Sequence, residues 1–384
     1  MERSYFDHNA TTPLAPEVLE TVVSCLGQVY GNASSIHHFG QEAKQRLETA
    51  RRQLASLIHA DPAAVVFTGG GTEADNLAVL GVVRAAPGPA RHVIASAIEH
   101  PAVLAPCAQL EREGVAVTRL PVGAGGVVNP DDVRRALRPA TVLVSIMHAN
   151  NELGTVQPVA GIARIAREAG VPLHVDGVQA LGRIPVDVAA LGVDLYSMSA
   201  HKLYGPKGVG ALYVRKGVRP APVSFGGHHE RDRRPGTENV PGIAGFGAAA
   251  ALAAGLLTAE SERLSGLRDR LENAVLERIP ATGVNGARWG RTPNTSNIYF
   301  DGIDGEALVI ALDLRGFAVS TGSACSSGAI TPSHVLTAIG LTPERARSSL
   351  RFSLGRANTA AQVDALVEAL AAAVTHLRRI SVYA

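Results

Sequence analysis

Short apolar segments alternate with helical segments from residue 16 to residue 214, and this alternation constrains the fold more than any other feature of the chain. Helical periodicity predicts helices at residues 16–29, 41–58, 72–85, 101–113, 131–137 and 159–169. Short strands are predicted between most of them, at residues 93–96, 116–120 and 142–147. Alternation of this kind produces a doubly wound, mainly parallel sheet, so we expect an α/β fold.

The pattern changes at about residue 260, where long charged helices and separated strands follow. Helices are predicted at residues 260–278 and 359–378, and strands at residues 296–300, 318–320 and 349–354. We therefore expect a large α/β domain at residues 16–259 and a smaller α+β domain at residues 260–384, which residues 1–15 join.

Lys202 lies in a polar loop between two apolar segments, residues 193–198 and 209–214, that are predicted as buried strands. Asp176 follows another predicted strand, and open α/β sheets bind ligands at such strand ends. A lone loop lysine is usually solvated and a lone aspartate is usually a turn residue, but their joint placement favours a site. Together with the glycine-rich segment at residues 67–76, which suits a phosphate group, they indicate a site for pyridoxal phosphate. In such a site a lysine forms the Schiff base and an acid keeps the pyridine nitrogen protonated.

The phosphate loop is the segment at residues 67–76, which follows a short strand and opens a helix. Its three consecutive glycines, 69–71, let the backbone approach an anion, and Thr72 adds a hydroxyl donor. A glycine-rich loop by itself is about as often a plain turn. The loop lacks the glycine order of a dinucleotide site and the Gly-Lys-Ser/Thr of a nucleotide P-loop, so a monophosphate cofactor fits better than NAD or ATP.

Composition narrows the functional classes. A formal net charge of +2 over 384 residues gives no basic surface for nucleic acid or an anionic membrane. The uncharged stretch at residues 240–259 is mostly Ala and Gly, which predicts a closely packed internal helix and no membrane span. Three cysteines form neither a disulfide framework nor a metal-site pattern, and the first residues lack the apolar core of a signal peptide. We expect a cytoplasmic enzyme.

Several short segments with a specific order of polar and glycine residues are spread over nearly the whole chain. They are Asp-His-Asn-Ala-Thr-Thr-Pro at 7–13, Tyr-Gly-Asn-Ala-Ser-Ser-Ile-His at 30–37, residues 68–76, Glu-His at 99–100, Met-His-Ala-Asn-Asn-Glu at 147–152, His-Val-Asp at 174–176, residues 199–208, Arg-Pro-Gly-Thr-Glu-Asn at 234–239, Ser-Thr-Gly-Ser-Ala-Cys at 320–325 and Leu-Arg-Phe-Ser at 350–353. In these segments the chain resembles the cysteine desulfurases of the NifS/IscS type, which are class V aminotransferase-like enzymes of fold type I. The resemblance implies conversion of L-cysteine to L-alanine with pyridoxal 5'-phosphate, and transfer of the sulfur through an enzyme persulfide to acceptors for iron-sulfur cluster assembly or other thio-cofactors.

The resemblance also implies roles for the matching residues. Lys202 is the Schiff-base lysine, Asp176 is the partner of the pyridine nitrogen, and His100 stacks on the ring and relays protons. Gln179 reaches the ring hydroxylate, and Asn151 reaches the cofactor or the substrate. The residues implied to hold the phosphate are Gly71, Thr72, Ser199 and His201.

Two implied roles concern the substrate and a second subunit. Arg351 is expected to clamp the substrate carboxylate in a bidentate pair, and the alternative for it is a surface salt bridge. For His100 the alternative is a core histidine that the backbone satisfies. Thr237 is implied to donate to the phosphate of the neighbouring subunit, which makes a homodimer part of the site.

Cys325 lies among small and polar residues, 322–328, which suit an exposed loop. Cys25 and Cys107 lie in helical apolar patterns and are predicted to be buried. The resemblance implies that the Cys325 thiolate takes the substrate sulfur and carries it to an iron-sulfur scaffold, whose cluster it can transiently contact, or to a sulfur-carrier protein. The segment at 323–334 resembles the longer-loop group that serves iron-sulfur assembly.

Two alternatives stay open. A selenocysteine lyase or a related class V aminotransferase would share Lys202, Asp176 and the phosphate loop, and dependence of turnover on Cys325 discriminates it. A non-enzymatic sulfur-transfer scaffold is less favoured, because every expected catalytic residue type is present. Departures from the family pattern remove no catalytic group; they are Ala33, Gly177, His228 and His229.

Overall fold

A computed structural model describes residues 3–322 and 332–381. Its strands are β1 (Ser4–Tyr5), β2 (Val65–Thr68), β3 (His92–Ser96), β4 (Ala116–Leu120), β5 (Thr141–Ser145), β6 (Leu173–Asp176), β7 (Leu195–Ser199), β8 (Gly210–Val214), β9 (Thr282–Val284), β10 (Thr295–Phe300), β11 (Phe317–Ala318) and β12 (Ser349–Ser353). Its helices are α1 (Pro16–Gln28), α2 (His38–Leu57), α3 (Gly71–Ala85), α4 (Pro101–Arg112), α5 (Pro130–Ala136), α6 (Val159–Glu168), α7 (Val188–Leu191), α8 (Val240–Arg278), α9 (Gly305–Asp313), α10 (His334–Ala338), α11 (Pro343–Arg347) and α12 (Ala360–Ser381).

Seven strands form the large sheet in the order β2-β8-β7-β6-β5-β3-β4. The pairs from β7 through β4 are parallel, so the predicted doubly wound, mainly parallel α/β architecture is confirmed. Strand β8 runs antiparallel to both β7 and β2. The reversal follows from chain length, because the link from Ser199 to Gly210 holds only a single 3₁₀ turn, Ala200–Lys202, and a parallel pair would need a longer crossover.

A second layer of strands comes from the C-terminal part of the chain. Strands β12, β10 and β9 form an antiparallel sheet in that order, and β1 pairs in parallel with β11. The inner face of this layer carries a separate apolar cluster that includes Phe6, Phe300, Phe352 and Leu366, all of them fully buried. The cluster binds the N-terminal segment to strands that lie more than two hundred positions later in the chain.

Helix α8 is one continuous helix of 39 residues, whereas the sequence predicts a new helix from residue 260. At that point the helix passes from one apolar core to another. Its Ala- and Gly-rich half packs in the core of the large sheet, and its charged half packs on the apolar cluster that contains Phe6 and Phe300. The predicted division between residues 259 and 260 falls inside this helix, and the two-domain organisation stays a prediction.

By length and composition, α8 and α12 are each apolar enough to span a membrane. More than half of the apolar window of α8, 56%, is buried inside the protein, where it packs on α1 and α2. Helix α12 packs on α8 and α9 through one apolar face. Helix α8 therefore has the surroundings of a core helix, whereas α12, with 33% of its apolar window buried, is an amphipathic helix at the surface of the core.

Candidate active site

A cavity of about 380 Å³ lies at the carboxyl ends of β2, β6 and β7. It is lined by Asn9, Ala10, Gly71, Thr72, Asp75, His100, Ala102, Met147, Asn151, Asp176, Val178, Gln179, Ser199, His201, Lys202, Gly322 and Arg351. All the predicted site residues except Thr237 and Cys325 are in this set. The strand-end position is where the topology of an open α/β sheet places a ligand.

Lys202 enters the cavity from the 3₁₀ turn that follows β7. Its Nζ donates hydrogen bonds to the backbone oxygens of Asn9, at 2.5 Å, and Ala10, at 2.6 Å. The N-terminal segment therefore places the ammonium group, although it lies nearly two hundred positions away in sequence.

Asp176 ends β6 and is buried, with its Oδ1 accepting a hydrogen bond from the Val178 N–H at 3.0 Å. Burial, and next the charge of Asp75, raise the pKa of Asp176 to about 6. An ionised carboxylate at this depth needs a cationic partner in the cavity. A protonated pyridine nitrogen has that charge, so the carboxylate fits the predicted cofactor.

His100 caps the N-terminus of α4, and its Nδ1 accepts a hydrogen bond from the Ala102 N–H at 3.1 Å. This bond fixes the tautomer, because the ring proton of the neutral imidazole then lies on Nε2. Burial lowers the pKa of His100, which favours the neutral ring at physiological pH. His100 thus lines the cavity with a defined N–H donor. The alternative, a core histidine that the backbone satisfies, explains the hydrogen bond at Nδ1 but gives no partner for Nε2.

The N-terminus of α3 forms the predicted phosphate seat. A Cβ atom at Gly71 would lie 2.9 Å from Val178 Cγ2 and 3.3 Å from Ser199 Cβ, so a larger residue would displace these neighbours. The first N–H groups of a helix lack intrahelical partners and favour anions. Thr72, Ser199 and His201 line the cavity beside them, and burial lowers the pKa of His201 to about 4, which leaves a neutral ring. This donor set fits a monophosphate.

Arg351 lies in β12 and is only 2% exposed, which excludes the surface salt bridge considered for it. Its Nη2 donates to Asp7 Oδ1 at 2.7 Å and its Nη1 donates to the backbone oxygen of Asn151 at 3.1 Å. Its buried Nε has no hydrogen-bond partner among the described residues. The guanidinium lines the cavity, where its remaining Nη N–H groups would donate to a substrate carboxylate.

Sequence reasoning assigned no role to two polar residues of the cavity, Asn9 and Asp75. Asn9 is a hub, because its backbone oxygen accepts from both Lys202 and Gln179, while its Nδ2 donates to the backbone oxygen of Asn151. Asp75 lies one helical turn after Thr72, a spacing that places both on the same face of α3 and could have indicated it. Burial raises the pKa of Asp75 to about 7.

Gly177, a departure from the family pattern, has a structural reason. A Cβ atom there would lie 2.0 Å from the Tyr196 ring, whose hydroxyl is hydrogen-bonded to His148 Nδ1 at 2.9 Å. The tyrosine takes the space that an alanine methyl would need next to Asp176. The change therefore leaves the carboxylate in place.

Two predicted residues are not placed in the cavity. Thr237 is exposed on the surface of this chain. Cys325 lies outside the described residues. Shortly after this gap, Ser333 Oγ donates to Glu152 Oε2 at 2.6 Å. Cys25 and Cys107 are buried as predicted, and neither lines the cavity.

Residues 4–366 match the family of class-V aminotransferases, and the chain belongs to this family. It is 48% identical to the cysteine desulfurase IscS of Dictyoglomus turgidum over 379 residues, which cover 99% of this chain and 96% of the relative. It is 46% identical to the cysteine desulfurase IscS of Methanosarcina thermophila, with 98% and 93% covered. A solved NifS-like protein superposes with a TM-score of 0.92 at 36% identity and covers 98% of this chain and 100% of its own length. These similarities place the chain among the cysteine desulfurases, as its motifs predict.

Proposed function

We propose that this protein is a cysteine desulfurase that converts L-cysteine to L-alanine with pyridoxal 5'-phosphate. The observation that carries the proposal is the meeting of Lys202, Asp176 and the N-terminus of α3 in one cavity, with the buried guanidinium of Arg351 on its wall. Cysteine desulfurases with nearly half of their residues in common with this chain support the choice of substrate.

The residues present fit the cofactor at each of its polar groups. Lys202 would hold it covalently, Asp176 would pair with its ring nitrogen, and Gln179 would meet its ring oxygen. The phosphate would be held by Gly71, Thr72, Ser199 and His201. When bound, pyridoxal phosphate supplies a ring that takes up the electron pair released at the α-carbon of an amino acid.

Proton movement is assigned to two side chains of the cavity. His100 carries its proton on Nε2, because Nδ1 is engaged with the Ala102 N–H. In the neutral ring that this lowered pKa favours, Nε2–H is a hydrogen-bond donor, and His100 would relay a proton only when Nδ1 releases the Ala102 N–H and acts as the basic atom. The Nζ of Lys202 is the second group able to move a proton, and the carbonyls of Asn9 and Ala10 orient it.

Arg351 would orient the substrate through its α-carboxylate. Its fork is fixed on one side by Asp7 and on the other by the backbone of Asn151, so the guanidinium does not need to reorganise when the substrate binds. A planar fork of donors pairs with a carboxylate in a geometry that lysine cannot copy.

The sulfur acceptor is assigned to Cys325. Its thiolate attacks the sulfur of L-cysteine, an S–S bond forms, and the Cβ–S bond breaks with its electron pair left on carbon, where a proton completes L-alanine. The product on the enzyme is a persulfide, and an iron-sulfur scaffold or a sulfur-carrier protein would take its outer sulfur. The burial of Cys25 and Cys107, which raises the pKa of Cys107 to about 12, supports this choice.

A homodimer is part of the proposal. Leu19, Val23 and Leu26 repeat at helical spacing along α1, yet each is at least half exposed in the single chain. Tyr30 and Phe39, which follow α1 in the chain, are also exposed and contact each other, with ring centroids 5.1 Å apart. Exposed apolar side chains of this kind are typical of an interface, and in the proposed dimer the exposed Thr237 would donate to the phosphate held by the second copy.

A cytoplasmic location is proposed on the cysteine chemistry. A persulfide and two unpaired thiols, Cys25 and Cys107, are compatible with a reducing compartment.

The test of the activity is the stoichiometry of products from L-cysteine. With a reductant present, alanine and sulfide should form in equal amounts. Turnover of selenocysteine that greatly exceeds that of cysteine would favour the lyase alternative, and formation of pyruvate in place of alanine would contradict the proposed reaction.

A further inference from the structure

A buried arginine stands behind the cavity, where no role has been assigned to it. Arg183 is 9% exposed and lies four positions after Gln179. Its Nη1 donates to the backbone oxygen of Gln179 at 3.0 Å and to Gln179 Oε1, and its Nη2 donates to the backbone oxygen of His8 at 3.3 Å. No carboxylate of the described residues pairs with it.

This guanidinium keeps its charge although it is buried. Burial lowers the pKa of Arg183 to about 10, which is well above physiological pH. The other ionisable groups that interact with it are Tyr204, Arg351, His8 and His201. None of them supplies a negative charge at that pH, because the raised pKa of Tyr204 keeps its hydroxyl protonated and the lowered pKa values of both histidines, to about 4, keep their rings neutral. A net positive charge therefore sits directly behind Gln179.

The neighbours of Gln179 determine which way its amide points. A guanidinium has only donors, so the atom that faces Arg183 is Oε1. A backbone carbonyl has only acceptors, and Asn9 accepts from Gln179 Nε2 at 3.0 Å. The two contacts fix the amide from opposite sides and leave the second N–H of Nε2 for the cavity that Gln179 lines.

We propose that Arg183 is a positioning residue, which holds Gln179 with an N–H donor toward the cavity and favours the ionised form of the cofactor's ring oxygen. The proposal rests on the binding of pyridoxal phosphate assigned above and not on the desulfuration step. Without Arg183 only the bond to the Asn9 carbonyl holds the amide, so the N–H donor toward an anionic ring oxygen is less firmly fixed.

The test is a double-mutant cycle on the holoenzyme, read from the absorption of the bound cofactor as a function of pH, with no substrate present. Arg183→Met should raise the apparent pKa of the spectral change by about one unit, a tenfold change in the equilibrium. In a Gln179→Leu background the same substitution should give less than half of that shift, because the group through which it acts is gone. Arg183→Lys, which keeps a cation, should raise the apparent pKa by less than Arg183→Met does.

Equal shifts in the two backgrounds would overturn the proposal, because Arg183 would then act without Gln179. The absence of any shift in Arg183→Met would overturn it as well. Should that variant fail to fold, Arg183→Gln removes the charge but keeps polar contact with the carbonyls, and the same two criteria apply. If the wild-type protein shows no absorption from bound pyridoxal phosphate, the assigned cofactor is wrong. If it shows that absorption but does not desulfurate L-cysteine, the proposed activity is wrong, and the test of Arg183 can still be carried out.

Discussion

Arg351 Nη2 lies 2.7 Å from Asp7 Oδ1, and this contact joins two residues that are 344 positions apart in the chain. Only 3% of the arginine side chain and 17% of the aspartate side chain are exposed, so the pair is held rigidly at the cavity wall. The contact orients the guanidinium before a substrate arrives. It also ties the N-terminal segment, which places Lys202, to the strand that carries Arg351.

Arg351→Lys should raise KM for L-cysteine by about tenfold to a hundredfold, because a lysine cannot donate to Asp7 and to a carboxylate in the same fork. The absorption of the bound cofactor should not change. Steady-state kinetics measures the effect, and Arg345→Lys is a matched control, since Arg345 pairs with Asp301 at the surface. An unchanged KM in Arg351→Lys would refute the substrate clamp.

Lys202→Ala should abolish covalent attachment of the cofactor, because the other cavity-lining residues offer no amine. Borohydride reduction followed by peptide mapping measures the attachment, and the reduced cofactor should be found on the peptide that contains Lys202. Lys207→Ala is the control, because Lys207 is exposed five positions later. Attachment that persists in Lys202→Ala would show that another lysine holds the cofactor.

Asp75→Asn should change how stability depends on pH. Burial raises the pKa of Asp75 to about 7, above its value in the unfolded chain. The stability that protonated Asp75 contributes to the wild-type protein is therefore lost as pH rises from about 4 to about 7. Asparagine does not titrate. The free energy of unfolding of the variant relative to the native protein should therefore increase on the order of 2 kcal/mol between about pH 5.5 and about pH 7.

Denaturant unfolding at both pH values, with the cofactor load held equal, measures this difference. Asp269→Asn is a control, because Asp269 is half exposed beside Arg268. A constant difference between Asp75→Asn and the native protein would show that Asp75 is ionised in the folded state.

The chemistry of the cavity could be predicted from sequence because its main residues follow strands. Strand periodicity places Lys202, Asp176 and the loop before α3 at ends of the same sheet, whatever the loops between them do. The direction of the strands at the edge of the sheet could not be predicted from periodicity, because buried parallel and buried antiparallel strands both give apolar runs. The pairing of β8 with β7 shows that β8 is antiparallel, a direction that the short link between them favours.

Contacts between distant segments were the second part that the sequence did not predict. The hub role of Asn9 depends on bonds to Lys202 and Gln179, 193 and 170 positions away, and no local pattern indicates them. Helix α2 begins at His38, earlier than predicted, because the His37 ring caps it by accepting from the Gly40 N–H, and histidine is not a usual cap. The bonds of Asn9 and the His37 cap depend on how particular side chains are placed in the folded chain, which local sequence patterns do not indicate.

Thr237→Val should weaken retention of the cofactor without unfolding the protein, if the exposed Thr237 completes the phosphate seat of a second subunit. Loss of a hydrogen bond to a charged group is expected to raise the dissociation constant about tenfold. Equilibrium dialysis measures retention, sedimentation measures the association state, and Thr375→Val on the exposed face of α12 is the control. A fully active monomer in sedimentation would contradict the shared site.

The sulfur transfer to Cys325 is tested most directly by mass spectrometry after one turnover with L-cysteine. A single added sulfur is expected on the peptide that contains Cys325, because its thiolate is the assigned acceptor and the other two cysteines, Cys25 and Cys107, are buried. Cys325→Ala should still bind the cofactor and L-cysteine, but its alanine production should fall by orders of magnitude. Added sulfur on Cys25 or Cys107, or undiminished alanine production by Cys325→Ala, would contradict the desulfurase mechanism.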